Sequence, residues 1–245
     1  MALENLNKNS MEIYINNLSK KFGDKTALSI SELKIESGDL VGVVGNNGAG
    51  KTTMFRLLLD LLKADSGNVM LDNYNVAKQD EWKLNTGSYI EGRFLIDFFY
   101  PEEYFYFVGN AYGLSKKEVD DRLIMYKSFM NDEILKQNKY IKHFSAGNKQ
   151  KIGIIGAMMI NSKILILDEP FNFLDPTSQL VIKKMLQKMN EELGTTILIS
   201  SHNLQHIMDI SSRVLLLEKG LILKDIDNID DEAKLELDNY FDLNE

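Results

Sequence analysis

Cysteine is absent from the 245 residues, which excludes a disulfide framework or a thiolate metal site and is in keeping with a reducing compartment. Basic charge is not in excess either. The formal net charge is -8, the wrong sign for a surface built to neutralise nucleic-acid phosphates, so no nucleic-acid partner is expected. No apolar run approaches the roughly 20 residues that cross a bilayer, and no basic stretch followed by an apolar one opens the chain. The expectation is a chain that does not itself span a membrane. Internal repeats and low-complexity tracts are also missing.

The length suits one large α/β domain, residues 1–245, with a sizeable core. Residues 1–10 are polar and are set apart from the fold. Charge is unevenly spread: residues 225–245 hold nine acids (Asp225, Asp227, Asp230, Asp231, Glu232, Glu236, Asp238, Asp242, Glu245) against Lys234, leaving 27 acids and 27 bases elsewhere. An acidic tail, 226–245, is expected as a solvated end, although Leu235, Leu237, Tyr240 and Phe241 leave room for a docking helix.

Short aliphatic runs alternate with helical patterns: "LVGVVG" then "KTTMFRLLLDLL", later "KILILDEP", "SQLVIKKMLQKMNEEL" and "TTILISS". Unbroken apolar strands between amphipathic helices predict a mostly parallel, doubly wound sheet, with a catalytic core over about 11–91 and 161–225. A strand-like "MEIYINNL" opens an N-terminal antiparallel β portion, and "RVLLLEKGLILKD" predicts a hairpin turning at Lys219 and Gly220. Residues 92–160 change to helix and loop, an inserted helical subdomain. Its segment Phe94 to Tyr112 carries more rings than one helix face can bury. Those rings serve either as the subdomain's core or as an aromatic platform for another protein.

"GNNGAGKTT", Gly45 to Thr53, follows an apolar strand and opens a helix, the context a phosphate loop requires. Gly45, Gly48 and Gly50 permit a backbone that turns N–H groups of Asn46, Asn47, Ala49 and their neighbours toward phosphate oxygens, and the following helix adds positive potential. Lys51 should reach the β and γ phosphates of ATP, and the Thr52 hydroxyl, followed by Thr53, should ligate Mg²⁺. The strand "ILILDEP" ends in Asp168 and Glu169. Alternation along a strand gives these acids different tasks: Asp168 for Mg²⁺, directly or through water, and Glu169 to orient or deprotonate the attacking water.

A further stretch, "FSAGNKQK", reads by itself as a helix start capped by Ser145. Taken in order with the phosphate loop and "ILILDEP", it resembles the signature loop of ATP-binding-cassette ATPases, and the likeness covers nearly the whole chain. The resemblance implies a P-loop NTPase fold, ATP and Mg²⁺ as cofactors, and a second subunit, identical or related. The loop Ser145, Ala146, Gly147 and Asn148 would then bind ATP held by the other copy. It also implies Phe22 as the ring stacked on adenine, Asp175 in "FLDP" as a contact between subunits, and His202 as the histidine near the γ phosphate. A separate integral membrane permease, at whose cytoplasmic face this chain would sit, would dock on Phe94 to Tyr112.

The sequence departs from that family at three positions. Glu91 stands where a Mg²⁺-contacting glutamine is usual, a substitution that resembles a bacterial branch of bacitracin-type, antimicrobial-peptide exporters. Ala146 replaces a glycine and Asn148 a glutamine, and a positive φ at residue 146 would slow turnover by straining alanine. Two other functions fit the motifs: a soluble cassette ATPase acting on ribosomes or DNA, and a weakly hydrolysing nucleotide-dependent clamp. His202 and His206 are spaced as a helical metal pair but lack a third ligand, so zinc is not expected.

Overall fold

A computed structural model describes residues 11–90, 95–227 and 229–242; Glu91, Phe94 and Glu245 lie outside the described residues. Its centre is a six-stranded sheet in the order β10–β9–β3–β8–β7–β6. These strands are β3 (Leu40–Val44), β6 (Thr86–Tyr89), β7 (Ile164–Leu167), β8 (Thr196–Ser201), β9 (Arg213–Glu218) and β10 (Leu221–Asp227). All pairings are parallel except that of β10 with β9, the hairpin expected at Lys219 and Gly220. Residues of β3, β7 and β8 are buried without exception, as strands covered on both faces must be.

Alternation divides the core. Val41, Val43, Ile164, Ile166, Leu198 and Leu217 face one side, and Val44, Leu165, Leu167, Ile197, Ile199 and Leu216 the other. The first side is closed by helix α1 (Lys51–Leu58) and by a second, antiparallel sheet of β1 (Ile13–Phe22), β2 (Lys25–Ile35), β4 (Ser66–Leu71) and β5 (Tyr74–Asn75). Helices alone therefore do not complete this face, a difference from a simple doubly wound sheet. The amphipathic strands β1 and β2 supply the missing layer through Ile13, Ile15, Leu28 and Ile35.

Between β6 and β7 every described element is helical: α2 (Pro101–Ala111), α3 (Lys116–Leu123), α4 (Lys127–Met130), α5 (Ala146–Met158) and short 3₁₀ turns. Ser115 starts α3 with a capping box, its hydroxyl accepting from Glu118 N–H while the Glu118 carboxylate accepts from Ser115 N–H. The aromatic segment serves both alternatives. Phe105 is fully buried, whereas Phe98 and Phe107 are 69% and 54% exposed, Phe107 edge-on to Phe99. Helix α6 (Pro176–Leu193) begins at an Asp175 cap that accepts from Ser178 N–H, with Pro176 at the first helical position, and ends on Gly194 at φ 69°. Helix α7 is Leu204–Met208.

The acidic tail is not simply a solvated end. Residues Asp231–Asp242 form helix α8, whose Leu237 is completely buried, and Tyr240 and Phe241 pack on the same core, their rings edge to face. Those three residues form an i, i+3, i+4 stripe along one helix face, and Glu236 pairs with Lys224. Nearby, Asp225 accepts two hydrogen bonds from one edge of the Arg213 guanidinium, Nε and Nη2, each at 2.7 Å, with Asp39 and Asp227 also within ion-pair reach.

Candidate nucleotide site

The carboxyl ends of β3, β7 and β8 lie side by side, and each parallel strand delivers one loop there: residues 45–50 after β3, Asp168 and Glu169 after β7, His202 after β8. Gly50, at φ 114°, turns the chain into α1, and a Cβ there would lie 2.9 Å from the Ala27 carbonyl oxygen, so glycine is required. A cleft of about 340 Å³ opens above this turn, lined by Phe22, Lys25, Ala27, Asn46, Asn47, Gly48, Ala49, Gly50, Lys51, Thr52, Thr53 and Glu169. Phe22, 54% exposed, stands at its rim.

Lys51 is nearly buried; its ammonium donates to the Gly45 carbonyl at 2.6 Å and lies 3.4 Å from the Glu169 carboxylate. The Thr52 hydroxyl donates to one oxygen of Asp168 at 2.6 Å, and the Ser200 hydroxyl donates to the other at 2.5 Å. Burial pushes the Asp168 carboxyl above the usual carboxylate range, opposed by these two donors and by Lys51 and reinforced by the Glu169 charge. Glu169 takes the left-handed backbone region at φ 48°, unusual for a side chain of its size. Its N–H donates to Ser200 Oγ at 2.9 Å, and its carboxylate meets His202 Nδ1 at 2.9 Å. The structure thus joins Lys51, Thr52, Asp168, Glu169 and His202 in one network. Their donor set toward a cation is a hydroxyl and carboxylates, the hard oxygen type that suits Mg²⁺.

Ser145 caps α5, accepting from Asn148 N–H at 3.2 Å, and none of Ser145, Ala146, Gly147 and Asn148 lines the cleft. Ala146 is the first residue of α5 and does not take positive φ, so the strain considered for alanine does not arise. Gly147 is the constrained position, since a Cβ there would meet the Phe173 carbonyl oxygen at 2.6 Å. Asp175 lies 3.9 Å from the ammonium of buried Lys151, and the Ser178 hydroxyl and N–H hold its carboxyl below the usual range. His206 packs on Phe171, ring centroids 4.8 Å apart, and so faces a different neighbour from His202. Sequence reasoning missed Lys25, Ser200 and Gln150. Ser200 carried a signal, being two residues before His202 on the same strand end, whereas Gln150 had only its place in "FSAGNKQK".

A phosphate-type loop after the first parallel strand of this sheet, facing paired acids on another strand end, defines a P-loop NTPase. The ABC transporter family model matches residues 28–172, and the chain belongs to that family, as an ATP-binding, ATP-hydrolysing subunit. Among its relatives, the uncharacterized ABC transporter ATP-binding protein YdbJ of Bacillus subtilis (strain 168) is 30% identical over 227 residues, 87% of this chain and 68% of its own length. The ABC transporter ATP-binding protein NatA of the same strain is 32% identical over 219 residues, 86% of this chain and 87% of its own. Among solved structures, an ATP binding subunit of an ABC transporter superposes with a TM-score of 0.84 at 26% identity, over 95% of this chain and 99% of that one. The dimeric bacterial cassette MJ0796, at 24% identity, shares the fold with a TM-score of 0.80, over 89% and 99%.

Proposed function

We propose that two copies, or this chain and a relative, close on two Mg-ATP molecules and drive a separate permease. The phosphate loop of one would face Ser145 to Asn148 of the other. The observation that carries this reading is that Lys51, Thr52 and Glu169 line one cleft, with Asp168 and His202 hydrogen-bonded directly behind Thr52 and Glu169, while the Ser145 loop belongs to neither set. In its roles, Lys51 neutralises the β and γ phosphates, Thr52 and Asp168 hold Mg²⁺, Phe22 stacks on adenine, and Asp175 touches the partner. Mg²⁺ would spread phosphate charge; Glu169, oriented by Ser200 and His202, takes the proton of the attacking water. Glu91 remains a proposed Mg²⁺ contact.

Among the described residues no helix is long and apolar enough to cross a membrane, so coupling needs a partner that does. The exposed rings Phe98 and Phe107 supply an apolar surface on the helical insertion for it. The site would then work at the cytoplasmic face of a membrane, and export of a peptide or antimicrobial follows only from the likeness carried by Glu91. Steady-state ATPase assays test the central claim. Turnover should be Mg²⁺-dependent and rise more than linearly with protein concentration. Glu169→Gln should reduce it at least about 10²-fold while an ATP-bound dimer accumulates in size-exclusion chromatography. Full activity in that variant would remove Glu169 from its role, and salt-sensitive co-sedimentation with ribosomes would favour the soluble alternative.

A further inference from the structure

Glu169 occupies a backbone conformation that most side chains avoid, and two hydrogen bonds fix the peptide on either side of it. Its N–H is held by Ser200; its carbonyl accepts from the Gln150 amide at 2.9 Å. Gln150 lies on α5 and is almost completely buried. Its amide oxygen in turn accepts from the Tyr89 hydroxyl at 2.6 Å, so the amide can present its N–H only toward Glu169. Tyr89, the last residue of β6, is itself buried, and its ring lies flush on Gly153, where a Cβ would come within 2.2 Å of it. About one turn before Gln150 on α5, Gly147 sits directly against the Phe173 carbonyl. Helix α5 therefore grips the loop after β7 at both of its left-handed residues, Glu169 and Phe173.

We infer that Gln150, aimed by Tyr89, is a positioning residue for Glu169: it holds the strained Glu169 peptide so that the carboxylate points at His202 and the phosphate loop. This rests on the proposed role of Glu169 as the base. A part-buried carbonyl deprived of its donor relaxes by rotating the peptide, and rotation at Glu169 swings its side chain away from the reacting water. Neither residue touches nucleotide in this reading, so their loss should act on turnover and leave ATP affinity in place. A side chain that merely fills space would show the opposite pattern, a lowered melting temperature with kcat retained.

The test compares Gln150→Met, which keeps length and removes both hydrogen bonds, with Tyr89→Phe, which keeps the ring on Gly153 and removes only the hydroxyl. Both are measured in the full chain for kcat, KM for ATP and thermal melting, beside Glu169→Gln. Gln150→Met is expected to lower kcat about 10-fold to 100-fold with KM within about 2-fold, the scale on which small misplacements of a reacting group act. Tyr89→Phe should give a smaller loss of about 3-fold, and the double variant should be no slower than Gln150→Met alone, since one path is being cut twice. A kcat within 2-fold of wild type in Gln150→Met while Glu169→Gln is inactive overturns this inference alone. Retained activity in Glu169→Gln overturns the underlying role of Glu169. A folded Tyr89→Phe protein whose loss multiplies with that of Gln150→Met also rejects the shared path.

Discussion

At Gly147 the close packing leaves no room for a side chain. Gly147→Ala forces a methyl group onto the Phe173 carbonyl and is expected to displace the loop that carries Glu169, lowering ATPase activity about 10-fold or more in a steady-state assay. Ala146→Gly, although it restores the residue usual in the family, is expected to change activity less than about 2-fold and to destabilise α5 by up to about 1 kcal/mol in denaturant titration, because helical alanine is replaced by glycine. Asp168 gives a pH test. Its folded-state pKa is raised, so the folded chain binds the proton more readily than the unfolded one, and the burden of the buried charge is present at neutral pH and relieved as pH falls through the folded pKa. Asp168→Asn should therefore be more stable than wild type at pH 7, with the difference shrinking on acidification, while ATPase activity falls at least about 10²-fold. Gly45 to Thr53 and the Asp168–Glu169 pair were legible as continuous strings because a phosphate loop is a local backbone device. Tyr89 and Gln150 were not, since they acquire their meaning from partners 61 and 19 residues away, and Ser200 was hinted at only by its place two residues before His202.

The elements divide by how much of their burial is written locally. Strands β3 and β7 are apolar throughout and β8 is apolar over Ile197 to Ile199, and they were readable as buried parallel strands from those runs. The antiparallel sheet over α1 was legible only as an N-terminal β portion, because its place as the second layer depends on packing across the molecule. For α8 the composition misled: the nine acids of residues 225–245 suggested solvent, while the spacing of Leu237, Tyr240 and Phe241 already marked one helical face. Leu237→Ala should destabilise the protein by about 2 to 5 kcal/mol in chemical denaturation, the range for emptying a buried leucine site, with little change in KM for ATP. An unchanged midpoint would mean the helix contributes no packing energy.

For the molecule as a whole, the sheet's carboxyl edge gathers the proposed ATP site and the helical insertion presents exposed rings away from its own core. If those rings receive the proposed permease, Phe107→Asp should abolish co-purification of a membrane partner while basal ATPase activity of the isolated protein stays within about 2-fold. Recovery of the partner at wild-type yield would place the contact elsewhere.

Lys51 gives up most of its contact with water when the chain folds, and its ammonium settles between the Gly45 carbonyl and Glu169. If Lys51 takes the proposed phosphate, that phosphate would meet a cation already dehydrated and engaged, and binding would be an exchange of anions rather than the capture of a free ion. Substituting an apolar residue for Lys51 would for the same reason strand the Glu169 carboxylate beside its emptied counter-ion position, so such a variant disturbs the resting enzyme before any nucleotide is added.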